Sequence, residues 1–128
     1  MKTLGIGVDI INNFRIKKSI KNKNFLNRIF TTTEIKKSKK IRNKSSFFSK
    51  RFAAKEAFSK ALGTGFSNGL NFKDISIIND KHGKPSIKIN NKIKTIIRSK
   101  FKTVKIDVFL SLSDEKDHSI AFVVLNKK

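Results

Sequence analysis

The chain contains no cysteine, tryptophan or tyrosine, a single proline, and only nine acidic residues among 128. The missing cysteine excludes a disulfide framework, a thiolate zinc site and a cysteine nucleophile. Without tyrosine and tryptophan, a nucleic-acid binder would lack its commonest stacking side chains. No run of eighteen apolar residues occurs and no apolar signal region follows Met1 and Lys2. Neither a membrane span nor an export signal is therefore expected, and a cytoplasmic protein is. Acid is scarce but base is not: thirty Lys and Arg give a formal net charge of +21, so the partner should be an anion. Nucleic acid is the first candidate, yet the lysines are spread over nearly every segment, with the densest run at Lys36 to Arg42. Lysine, asparagine, isoleucine and phenylalanine are abundant together, a bias that A/T-rich codons produce without selection for function. The charge alone argues weakly.

What is present is more specific. Arg51-Phe-Ala-Ala-Lys-Glu-Ala-Phe-Ser-Lys-Ala-Leu-Gly-Thr-Gly65 is a strong helix former that carries four charges on a small-residue run and stops on glycines. Glu56 and Lys60 are one turn apart on a shared face, and Arg51 and Lys55 form a second such pair beside them. Read alone, Glu56 and Lys60 suit a solvated surface pair. A second acid far upstream changes the weighing. In Leu4-Gly-Ile-Gly-Val-Asp-Ile10, apolar residues alternate with glycine, as in a buried strand that another backbone approaches closely. Asp9 is out of place there, and its charge must be hydrated, paired or metal-bound. The Gly-x-Gly lacks the third glycine of a dinucleotide fingerprint and no helix opens directly after it.

The remaining pattern predicts one α+β domain over residues 1–128. A strand at about 3–9 leads to helices at 13–22 and 25–29. Thr31 to Glu34 reads as a capping box opening another helix, and the charged helix occupies 45–62. Phe47, Phe48, Phe52 and Phe58 fall at helical spacings that suit a core. Strands are predicted at 74–79 and 86–89 around a turn, a short helix at 92–99, and final strands at 104–110 and 119–125. The last strand is apolar on both faces, so it is central or covered by another subunit.

Gly5-Ile-Gly-Val-Asp9, Arg28-Ile-Phe-Thr31 with Glu34, the 51–65 helix motif and Gly83-Lys-Pro85 occur in the order and spacing of a known family. The chain resembles the holo-acyl-carrier-protein synthases, the small type of 4′-phosphopantetheinyl transferase, over nearly its whole length. The resemblance implies that family's fold, an antiparallel sheet with a long central helix, assembled as a homotrimer with active sites between subunits. It implies transfer of the phosphopantetheine arm of coenzyme A to a serine of apo acyl carrier protein for fatty acid biosynthesis, dependent on Mg²⁺. Asp9 and Glu56 would then be metal ligands, and Lys60 a catalytic charge aimed at the diphosphate. Glu56 would also act as base through water. Arg51, Lys60, Gly63, Thr64, Gly65 and Asp114 would line the coenzyme A groove, although a structural helix cap explains the glycines equally well. Arg15, Phe25 and Arg28 would dock the acidic carrier protein; a solvated helix face is the plain alternative for both arginines.

The departure is Leu112-Ser113-Asp114, where relatives usually carry a histidine near the coenzyme A phosphates. Asp114 would join the metal shell, oppose bound phosphate, or be an outward-facing turn aspartate. His118 and His82 read as surface residues. Two rival readings stand beside the transferase: a basic nucleic-acid-binding protein, which leaves Asp9 and Glu56 unexplained, and a transferase-fold scaffold that has lost activity.

Overall fold

The computed structural model describes residues 2–67 and 69–128. Strand β1 (Lys2–Asn12) is followed by three short helices, α1 (Asn13–Ser19), α2 (Lys23–Ile29) and α3 (Thr32–Ser38), and then by the long α4 (Lys44–Leu62). A 3-10 turn at Phe72–Asp74 precedes β2 (Ile75–Asn79), β3 (Pro85–Ile89), α5 (Asn91–Phe101), β4 (Ile106–Asp114) and β5 (His118–Lys127). The α+β class and the long central helix agree with expectation. The strands, however, divide into two antiparallel sheets, β1-β5-β4 and the β2-β3 hairpin.

Helix α4 is central because its small residues let backbone come close on one side while its phenylalanines fill the other. Ala53, Ala54, Ala57 and Phe58 are fully buried, and Phe47 and Phe48 nearly so. A Cβ at Gly5 or Gly7 would collide with the backbone carbonyl of Ala61 or Ala57, so the glycines are what lets β1 lie against α4. The sheet's inner face adds Ile11, Leu110, Ala121, Val123 and Leu125 to this core. Its outer face is different. Ile6 and Ile10 are 61% and 63% exposed, and Val8, Phe109, Ile120 and Phe122 are exposed beside them. Strand β5 is thus both central in its sheet and apolar on a face that the rest of the chain leaves bare.

The helix boundaries follow from caps. Thr31 and Glu34 form the expected capping box of α3. Helix α1 ends at Ser19 rather than at residue 22, because Asn22 accepts from the amides of Asn24 and Phe25 and so opens α2. Asp74 is not in a strand. Its carboxylate accepts from the Asn71 amide at 2.9 Å and closes the 3-10 turn. Phe52 is half-buried instead of core, its ring stacked between Phe25 at 6.3 Å and Phe72 at 5.5 Å. Strand β4 starts two residues later than predicted and runs four further, because Asp114 pairs with Ser119 and the Glu115 amide donates to His118 O in a tight turn.

Candidate active site on the two flanks of the central helix

On β1, side chains alternate between the bare face and the helix-facing side, and Asp9 shares the inner side with Gly5, Gly7 and Ile11. There its Oδ1 lies 3.2 Å from Lys60 Nζ, which also donates to Val8 O at 3.0 Å. Lys60 therefore pairs with Asp9, not with Glu56 as the helical spacing alone suggests. Glu56, half-buried one turn earlier, accepts no hydrogen bond from a described residue at its carboxylate. Burial pushes the Glu56 carboxyl above its ordinary range and the Asp9 charge adds to this, with Lys60 and Arg15 opposing. Burial likewise raises the Asp9 carboxyl against the pull of Lys60 and then Arg15. Two desolvated, mutually repelling carboxylates beside cationic side chains fit a hard divalent cation that shares its shell with phosphate oxygens and water. Among the described residues no group of three or more His, Cys, Asp and Glu gathers as a metal site. Two protein carboxylates suit Mg²⁺ better than an all-protein cage.

Arg51 and Asp114 lie on the opposite flank. Arg51 precedes Glu56 by five residues, about 140° around the helix. Asp9 is on β1 and Asp114 on β4, with β5 between them, two strand spacings or about 10 Å apart. Within one subunit the structure does not bring Arg51 or Asp114 to Asp9, Glu56 and Lys60. It gathers them instead around a cavity of about 430 Å³ with Lys50, Asn79 and Pro85. Arg51 is 5% exposed, its guanidinium 3.6 Å from the Phe47 ring centroid, and its Nη2 donates to Asn79 Oδ1 at 3.0 Å. Its buried Nε has no hydrogen-bond partner among the described residues. Burial lowers the Arg51 pKa to about 10, with Glu34 pulling the other way. A buried guanidinium with an unused donor is suited to an anion.

Asp114 is no turn aspartate. It ends β4, its Oδ2 accepts from Ser46 Oγ at 2.5 Å, and its Oδ1 lies 3.6 Å from Lys50 Nζ. The sequence reading missed Lys50 and Asn79, since helix spacing assigns a face but not a partner across the fold. It also missed that Lys55 and Arg51 go to different partners: Lys55 is fully buried against Glu34.

Gly63 has φ +79° and donates its amide to Ser59 O and Lys60 O, so it caps α4. Thr64 beside it lines a cavity of about 630 Å³ with Ser67, Thr95, Ser99 and Lys100, while Gly65 faces open space. Arg15 is exposed on α1 and near enough to Asp9 and Glu56 to act on both carboxyls. Phe25 is half-buried on α2, and exposed Arg28 borders a cavity with Phe66 and Phe72. His82 is exposed, and the partly exposed His118 ring faces Glu115 at 3.3 Å.

The profile of the 4′-phosphopantetheinyl transferase superfamily matches residues 5–123. A holo-[acyl-carrier-protein] synthase of Pelagibacter ubique is 62% identical over 128 residues, the whole of both chains. The chain belongs to the holo-[acyl-carrier-protein] synthases of that superfamily. Among solved structures, the synthase of Neisseria meningitidis is 37% identical with a TM-score of 0.87, covering 98% of this chain and 99% of its own. The Bacillus anthracis synthase, solved in complex with CoA (3′,5′-ADP), is 35% identical with a TM-score of 0.83 over the full length of both. Against this family frame, Asp9, Glu56 and Lys60 are one cluster, and Arg51 and Asp114 another.

Proposed function

We propose that Asp9, Glu56 and Lys60 of one subunit and the Arg51 cavity of a neighbour form the active site of this transferase. The chain transfers the 4′-phosphopantetheine of coenzyme A to a serine of apo acyl carrier protein, giving holo carrier protein and adenosine 3′,5′-bisphosphate. Asp9 and Glu56 would hold Mg²⁺, which supplies charge neutralisation at the diphosphate when bound. The serine oxygen forms a bond to the β-phosphorus as the bond to the bisphosphate oxygen breaks. Glu56 takes the serine proton through water, and Lys60 Nζ stabilises the departing oxygen as a point charge. Arg51, with its unused Nε, and Lys50 receive the nucleotide phosphates. Gly63, Thr64 and Gly65 border the groove at the helix end, and Arg15, Phe25 and Arg28 dock the acidic carrier protein. Such substrates place the enzyme in the cytoplasm.

The observation that carries the metal assignment is the half-buried Glu56 carboxylate, repelled by Asp9 and without a hydrogen-bond donor. Mass spectrometry of an apo carrier protein incubated with enzyme, coenzyme A and Mg²⁺ should find one added phosphopantetheine, and a chelator should stop it. Turnover without any divalent metal would overturn the two-carboxylate reading.

The homotrimer rests on the bare apolar sheet face, Ile6, Val8, Ile10, Phe109, Ile120 and Phe122, and on the separation of the two clusters across α4. Glu56→Gln and Arg51→Met should each be inactive. Co-expressed as mixed trimers they should recover about a quarter of wild-type activity, since one interface in four combines the two intact halves at random mixing. No recovery, or a fully active monomer in sedimentation, would return both clusters to a single subunit.

A further inference from the structure

Among the described residues, Lys55 and Glu34 are the one oppositely charged pair in which both side chains are almost completely buried, at 0% and 1% exposure, and the proposed chemistry uses neither. The three Lys55 donors are all used. Nζ donates to Glu34 Oε1 at 2.7 Å, to Ile29 O at 2.8 Å and to Phe72 O at 3.3 Å. Glu34 is equally occupied, its Oε1 also accepting from the Thr31 amide at 2.9 Å and its Oε2 from the Ile77 amide at 2.8 Å. Burial lowers the Lys55 pKa while Glu34 raises it, burial being the larger influence. The pair thus joins four separate pieces of backbone to α4: the end of α2, the start of α3, the 3-10 turn and β2.

The attachment of α2 is the informative one. Its backbone does not pack closely on α4, so side chains must hold it there. Phe52, one turn before Lys55 on the same face of α4, supplies the apolar half of the seam by stacking between Phe25 of α2 and Phe72. Lys55 supplies the polar half by capturing the carbonyl of Ile29, the last residue of α2. Its sequence neighbour is Glu56. One residue of α4 therefore fixes the helix that presents Phe25 and Arg28, and the next belongs to the metal cluster.

We infer that Lys55, held by Glu34, is a positioning residue that holds the docking face of α2 in place beside the catalytic helix, so that a carrier protein binds there. The inference rests on the proposed docking role of α2. A purely structural pair would lower the amount of folded enzyme, affecting turnover with either substrate alike. A positioning pair separates the substrates, because the proposed coenzyme A groove includes no residue of α2.

The test is steady-state kinetics of Lys55→Met and of the double variant Glu34→Gln/Lys55→Met. The single change leaves a buried carboxylate without its cation; the double one removes both charges at nearly constant volume, so it keeps the question open to measurement if the single variant does not fold. In the double variant the carrier-protein KM should rise about tenfold, while kcat at saturation and the coenzyme A KM change less than about twofold. Equal rises in both KM values, a loss confined to kcat, or no change in any constant would each overturn the proposal. Arg28→Glu is measured alongside. If it raises the carrier KM and the double variant does not, the Lys55 inference alone fails; if neither does, the docking assignment of α2 fails with it.

Discussion

Two lysine–carboxylate arrangements lie five residues apart on α4, and they are opposites. Around Lys55 every donor and acceptor is matched: Glu34 takes the ammonium and two backbone amides, and two carbonyls complete the lysine. Around Lys60 the match is incomplete. Lys60 is half exposed and holds Asp9 at 3.2 Å, while Glu56 is left desolvated, repelled by Asp9 and undonated. A saturated buried pair has nothing to offer a ligand and specifies structure. An unsaturated pair of carboxylates lowers its energy by taking a cation, and so specifies a site. The helix carries both because its two faces meet different surroundings.

The largest expected effect tests the unsaturated side. Glu56→Gln keeps the shape and removes the charge that Mg²⁺ would neutralise, so turnover should fall on the order of 10³-fold. The same change removes a repelled, half-buried anion, so the metal-free variant should melt at the same or a higher temperature than wild type. Mg²⁺ should no longer raise that temperature. Normal turnover would make Glu56 an ordinary surface acid and end the contrast between the two clusters.

Next in size is the exchange of roles between the two lysines. Lys55→Met strands the Glu34 charge in the core and should lower stability by about 3–5 kcal/mol. Lys60→Met takes a half-exposed cation from the largely buried Asp9 and should cost less, about 1 kcal/mol, yet reduce turnover roughly 10²-fold or more. Urea titrations with matched kinetics decide this. A Lys60 variant that is unstable but active would reverse the assignment.

How much of this was legible in the sequence follows the range of each interaction. Gly5 and Gly7 announced a close backbone approach, and Ala57 and Ala61 provide it. The Thr31–Glu34 capping box was readable because it closes over three residues. The second role of Glu34 was not, since Lys55 and Ile77 lie 21 and 43 residues away. Period 3.6 correctly put Glu56 beside Lys60, but it could not say that Lys60 prefers Asp9 across the sheet edge. The family motif named Arg51 and Glu56 together. Only the fold separates them onto two flanks, and that separation is the reason for proposing a site shared between subunits. Asp114 looked like loop because Asp, Glu and Lys follow one another; strand register with Ser119 decides otherwise.

A smaller effect is expected at the docking surface. Arg15→Glu or Arg28→Glu should raise the carrier-protein KM about five- to tenfold with the coenzyme A KM nearly unchanged, because one-signed rim charges govern encounter with a charged partner. Arg15 sharpens the comparison further. It lies close enough to Asp9 and Glu56 to pull both carboxyls down, so its reversal makes the site more anionic and should also lower the Mg²⁺ concentration for half-maximal rate, whereas that of Arg28 should not. Equal effects of both variants on the metal would show that this influence is not local.

The smallest expected effect concerns Asp114, the acid that ends β4. Its charge is already matched by Ser46 Oγ at 2.5 Å and Lys50 at 3.6 Å, on the flank of Arg51 and not of Asp9. With that match, Asp114 would compete for Lys50 with a phosphate bound in the proposed site. Asp114→Asn should free the lysine and lower the coenzyme A KM roughly two- to fivefold, the scale of a partly exposed ion pair, with the Mg²⁺ concentration for half-maximal rate unchanged. A variant that instead needs more Mg²⁺ would mean that the carboxylate reaches the metal cluster of the neighbouring subunit. The two outcomes require separate titrations of metal and coenzyme A, because a single rate at fixed concentrations moves in either case.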